Sequence, residues 1–110
     1  MHHSDVIKLV EKFLADPKSV SIRELRHAYA GYTAIADVAD ARAGIGHVVY
    51  AAVYAARAAD NAAECTAYAT RAAKASGGHW DEYWAAEAGH WTTEARQRIA
   101  EYHELTKDSN

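Results

Sequence analysis

The side chains in this chain best suited to chemistry are Cys65, the carboxylate pairs Asp37/Asp40 and Asp60/Glu64, and the pair Glu87-Ala-Gly-His90. Glu-x-x-His is half of a di-iron motif, which needs a second copy and two further glutamates on neighbouring helices. The sequence holds one copy, and its other acids do not repeat the spacing. The seven histidines scatter without zinc-ligand spacing, His2 and His3 at the very start included. Cys65 sits in an alanine-rich stretch with no histidine near it, the setting of a small buried cysteine. The acid pairs fall at i,i+3 and i,i+4, which a solvated helix face explains. Neither a phosphate-cradling glycine loop nor a G-x-S-x-G elbow occurs. The expectation is a chain with no catalytic residues, no metal site and no cofactor, hence not an enzyme.

Recognition chemistry is better represented. Tyr50, Tyr54, Arg57, Asn61, Glu64, Tyr68 and Arg71 are spaced 4-3-4-3-4-3, so they share one face of a helix. Tyrosine and arginine combine large contact area with a polar handle, the profile of residues that dominate binding surfaces. The opposite face is Val49, Ala52, Ala56, Ala59, Ala63 and Ala67, small enough for a neighbouring helix to approach closely. Two readings of the Tyr/Arg stripe stand: a partner-binding ridge on the surface, or a set of tyrosines filling a core that alanine cannot fill. A second group is Trp80, Trp84 and Trp91, with Tyr83, His79 and His90 nearby. These tryptophans fall on one side of a helix and serve as a hydrophobic anchor, a pocket wall, or core packing against the alanine face.

The elements that must position these groups are all helical. Ser4 suits the N-cap of a first helix, Asp5–Ala15, with Val6, Leu9, Val10, Phe13 and Leu14 as its apolar face. Asp16-Pro17 ends it, because a residue before proline avoids the α region. Ser21 and Glu24 form a capping box, and Val20 with Leu25 a hydrophobic staple, so a second helix starts at Ile22. Its seam is Ile22, Leu25, Tyr29, Tyr32, Ala36, Ala39 and Ala43, closed by Gly44-Ile45-Gly46. The third segment, His47–Ser76, would be roughly 43 Å long if unbroken. Asn61 and Glu64 offer a capping pair within it, so one helix and two are both open. Gly77-Gly78 ends the segment. A last helix runs from about Trp80 to Thr106, with Trp84, Ala88, Trp91, Ala95, Arg98/Ile99, Tyr102 and Leu105 as its inner stripe, and Gly89 with Thr92-Thr93 as bending points. The fold class is all-α: a compact bundle or helical-hairpin stack of four to five helices in a single domain, 1–110, with the first helix (1–16) at its periphery.

Bulk properties narrow the partners. Of 26 alanines, 18 lie between Ala34 and Ala75, so the core depends on few large side chains and leaves self-association as a supplement. A formal charge of −3, with acids and arginines interspersed, disfavours nucleic acid. No stretch is long and apolar enough to span a bilayer. One cysteine and an opening MHHSDVIK without signal-peptide patterning point to a cytoplasmic chain, in a bacterium or a phage-infected host.

RHAYAGY at 26–32, AAVYAARAADNAAECTAYATRAAKAS at 51–76 and HWTTEARQRIAEYHEL at 90–105 carry a resemblance to a loose group of small alanine-rich bacterial and phage helical proteins that includes immunity proteins. The resemblance covers roughly Arg23 to Leu105. It implies an all-helical fold and a role in neutralising another protein, and brings no catalytic residues. Together with the ridge, the expectation is a non-enzymatic inhibitor that blocks a larger protein target sterically, as an immunity protein or an anti-CRISPR-type protein does. The alternative is a bundle that sequesters or senses a small ligand, with Trp80, Trp84 and Trp91 as pocket wall.

Overall fold

The structure, a computed structural model, describes residues 3–30, 46–75 and 79–107. It is an all-α bundle: α1 (His3–Ala15), a 3-10 turn (Pro17–Ser19), α2 (22–30), α3 (Gly46–Lys74) and α4 (Trp80–Thr106), with no strand among the described residues. The fold class expected from helical periodicity is the one observed. Principal extents of 52 × 23 × 21 Å follow from the two long helices, each about 40 Å at 1.5 Å per residue.

The scaffold is the antiparallel hairpin of α3 and α4. Tyr54 lies beside Arg98, and four turns on Tyr68 lies beside Trp84, so the pairing register holds along its length. Alanine makes this hairpin close. Ala52, Ala56 and Ala59 are fully buried, as are Ala55 and Ala58, and they meet Ala95, Ile99 and Tyr102 of α4 in one core. Larger apolar volume comes from α1, whose Val6, Ile7, Val10 and Phe13 are buried on the same cluster. Full burial of each such side chain contributes about 1.5–3 kcal/mol, several times what alanine can. Crossing rather than running alongside, α1 meets α4 at one place: His3 Nδ1 lies 2.6 Å from the Tyr102 hydroxyl, and Glu11 faces His103 Nε2 at 3.4 Å.

The link into α2 forms as its sequence requires. Lys18 N–H and the Ser19 hydroxyl donate to Asp16, tightening the turn after α1. Ser21 N–H donates to Glu24 Oε1 and Glu24 N–H to Ser21 Oγ, both at 3.1 Å, which is the reciprocal capping box. Val20 and Leu25 are buried as the staple. From this start, Arg26 reaches α3 and pairs with Asp60 (3.5 Å) and Glu64.

The expectations at Ser4 and Leu105 change, and the question left open at residues 60–64 is answered. Ser4 lies inside α1, not at its cap: the His3–Tyr102 contact ties the first turn down, so the helix begins earlier. Residues 60–64 do not interrupt α3. Asp60 and Glu64 face Arg26 of α2, so their polarity serves a bond between helices and not a cap. α4 runs continuously through Gly89 and Thr92-Thr93, and each threonine hydroxyl donates to the carbonyl four residues back, the bond that often accompanies a gentle helix bend. Leu105 is 40 % exposed, since α1 crosses α4 at Tyr102–His103 and leaves the last turn overhanging. The expected seam of α2 beyond residue 30, Asp37 and Asp40, and Gly44-Ile45, Gly77 and Gly78 lie outside the described residues.

Candidate protein-binding surface

The Tyr/Arg stripe of α3 lies opposite its buried alanine face and turns mainly outward. Tyr54 and Tyr68 are each 41 % exposed, Arg57 and Arg71 are exposed, and Asn61 and Glu64 are half-buried between them. Tyr50 behaves differently: it packs against the core and stacks on Tyr54 with ring centroids 6.1 Å apart. Tyr50 thus packs as a core-filling tyrosine, whereas Tyr54, Arg57, Tyr68 and Arg71 are exposed.

Two shallow clefts flank the stripe. The first, about 260 Å³, lies between α3 and α4 and is lined by Tyr54, Arg57, Ala58, Trp91, Glu94 and Arg98. There the Arg98 guanidinium sits over the Tyr54 ring at 5.1 Å, held by Glu94 at 3.0 Å and Glu101 at 3.1 Å. The second, about 210 Å³, lies between α2 and α3 and is lined by Ile22, Arg26, Glu64, Ala67, Tyr68 and Arg71. Here Arg71 sits over the Tyr68 ring at 5.7 Å. Both clefts are open and fall just below the roughly 300–1,000 Å³ of a small-molecule site; a wider open groove of about 440 Å³ between α3 and α4, with Thr66, Thr70, Asp81 and Ala88 in its lining, contains none of the stripe's residues.

An aromatic ladder extends the surface from Tyr68 onto α4. Tyr68 meets Trp84 at 4.9 Å, Trp84 meets Tyr83 at 5.0 Å edge-on, and Tyr83 meets Trp80 at 5.9 Å edge-on. From half-buried Trp84 exposure rises to 50 % at Tyr83 and 65 % at Trp80. Trp91 lies apart in the first cleft, half-buried, with His90 edge-on to it. The three tryptophans therefore share a helix side without lining a common cavity. Tyr83, Arg26 and Arg98 belong to this surface although the α3 periodicity does not include them. Tyr83 carried a signal as a neighbour of Trp84; the arginines come from other helices, and only the packing brings them in.

The groups suited to other chemistry are dispersed. Cys65 is buried, and burial, followed by the negative charge of Glu87, pushes its thiol above the ordinary value, which disfavours the nucleophilic thiolate. Glu87 thus faces Cys65, while His90 rests on Trp91. Among the described residues no three histidine, cysteine, aspartate or glutamate side chains gather as a metal site would require. Among the described residues no helix is long and apolar enough to cross a membrane.

Compared with protein-family models, with curated proteins and with solved structures, the chain matches none significantly.

Proposed function

We propose that this chain is a non-enzymatic protein-binding inhibitor, which neutralises a larger target by covering one of its functional surfaces, in the manner of an immunity protein or an anti-CRISPR-type protein. One observation carries the reading: a rigid two-helix scaffold presents Tyr54, Arg57, Tyr68, Arg71, Tyr83 and Trp80 outward, while its alanines form the core. Large aromatics are normally consumed by a core, and exposing four of them, Tyr54, Tyr68, Tyr83 and Trp80, leaves apolar area that a partner covers. Tyrosine, tryptophan and arginine are the residues that contribute most when buried at an interface. From Tyr54 to Arg71 the ridge runs about 26 Å along α3, which suits a standard interface of roughly 800 Å² per partner. Blocking then needs only occupancy: a partner surface held under this ridge is closed to its own ligands.

Sequestration of a small ligand draws less support, because the tryptophans are divided between the open ladder and the first cleft. The test compares wild-type protein with the double variant Tyr54→Ala/Arg57→Glu, both immobilised, in lysate of the source organism. Both positions are exposed, so circular dichroism should show an unchanged fold. A protein enriched on wild type and lost on the variant, whose activity the wild type alone inhibits, supports the reading. Equal capture and equal inhibition by a folded variant sink it.

A further inference from the structure

The stripe contains the same unit twice. Tyr54-Ala-Ala-Arg57 and Tyr68-Ala-Thr-Arg71 share the pattern Tyr-Ala-x-Arg, fourteen residues apart. Fourteen residues are nearly four turns, so the units face almost the same way, displaced by about 21 Å along α3. Their electrostatic situations also match. Arg26 is matched by Asp60 and Glu64, and Arg98 by Glu94 and Glu101. Arg57 and Arg71 are exposed and have no ion pair among the described residues. The surface therefore offers two guanidinium groups without ion-pair partners among the described residues, Arg71 over the Tyr68 ring and Arg57 in the cleft where Arg98 covers the Tyr54 ring.

We infer that the partner presents two carboxylates, about 21 Å apart, one to Arg57 and one to Arg71; this rests on the ridge being the binding surface, as proposed above. A guanidinium pairs with a carboxylate through two parallel N–H donors, so each contact fixes orientation as well as charge. Two such contacts at a set distance fix the register of the partner along α3. An acidic protein surface fits better than a nucleic acid. Glu64 and Glu94 line the same clefts, and a continuous phosphate strand would run against them, whereas two discrete carboxylates need not.

A library of random 16-residue peptides, displayed and selected on the full-length protein, tests this. An extended peptide covers 21 Å in about six or seven residues. Selection on wild type should enrich two acidic positions at that separation, each beside an apolar residue. Selection on Arg57→Glu should turn one of these positions basic, and selection on Arg71→Glu the other. A synthetic peptide from the wild-type pool should bind each single variant at least about tenfold more weakly. Enrichment without acidic bias, or the same acids selected on the reversed variants, overturns the inference. In that event, peptides that lose binding to Tyr54→Ala and Tyr68→Ala leave the ridge standing as the binding surface. Peptides indifferent to those two variants remove the ridge reading too. No enrichment over bare resin also overturns the inference, as does tighter, arginine-dependent binding of a fluorescent 20-base-pair DNA duplex than of any selected peptide.

Discussion

Asp60 gives the sharpest test of how α2 is held. Its Oδ2 lies 3.5 Å from Arg26 Nε, but Oδ1 is buried without a hydrogen-bond partner. Arg26 also pairs with Glu64, and its side chain is 54 % exposed. The two halves of this ion pair are therefore unequal. Arg26→Ala leaves a buried carboxylate with no counter-charge. Breaking a fully buried pair in that way costs about 3–5 kcal/mol. Water reaches Arg26, which lowers the figure here to about 2 kcal/mol. Asp60→Ala loses the same pair, about 1 kcal/mol, yet Arg26 keeps Glu64 and water. Removing an unsatisfied buried acceptor returns about 1–3 kcal/mol, and alanine is the better helix former by about 0.6 kcal/mol. Together these terms leave Asp60→Ala stabilised by roughly 0.6–2.6 kcal/mol. The double variant should resemble Asp60→Ala rather than the sum of the two. Urea unfolding followed at 222 nm, with unchanged slope, measures all three. Equal losses for the single variants, or a larger loss for Asp60→Ala, would refute the reasoning.

Three further outcomes are expected. Gly89 is exposed in the middle of α4, with open space where a Cβ would stand, so Gly89→Ala should stabilise by about 1 kcal/mol and raise the calorimetric midpoint by roughly 4 °C. Cys65 should react with a disulfide reagent at pH 8 far more slowly in the native protein than in urea, since burial and Glu87 both disfavour the thiolate; equal rates would contradict its placement. The Ser21 backbone N–H, and next the Ser21 side chain, hold the Glu24 carboxyl below its ordinary 4.5. A depressed carboxylate stabilises above its unfolded value and stops doing so as pH falls through the folded one. Loss of the N-cap in Ser21→Ala should cost about 1 kcal/mol, and the destabilisation caused by Glu24→Gln should fade in acid-unfolding curves as pH falls below the ordinary 4.5.

What the sequence makes legible here is what short-range chemistry decides. The capping box at Ser21/Glu24, the span of α4 from Trp80 to Thr106 and the two faces of α3 follow from residues a few positions apart. Contacts between helices account for the remainder. Asn61 and Glu64 look like a helix start until Arg26 of α2 is placed opposite Glu64 and Asp60. Ser4 looks like a cap until His3 meets Tyr102, ninety-nine residues away. The stripe itself was visible as a face, but its direction was not: tyrosine suits core and surface alike, and Tyr50 and Tyr54, one turn apart, divide between the two. Arg98 enters the surface through the hairpin register, and no spacing within α3 announces it.

The alanine interior of the α3–α4 hairpin divides α3 lengthwise into two kinds of position. Along the inner half the side chains are already near the smallest available, so exchanges there can hardly subtract volume, and almost any addition pushes the helices apart. Along the outer half, Tyr54, Arg57, Tyr68 and Arg71 project from a backbone whose position they do not determine. Variation on that side can retune what is recognised while the bundle beneath stays as it is. A saturation scan of α3 should separate the two halves as alternating bands, size-intolerant on one side and permissive for folding on the other. A single helix of this kind can follow a changing target without renegotiating its own fold.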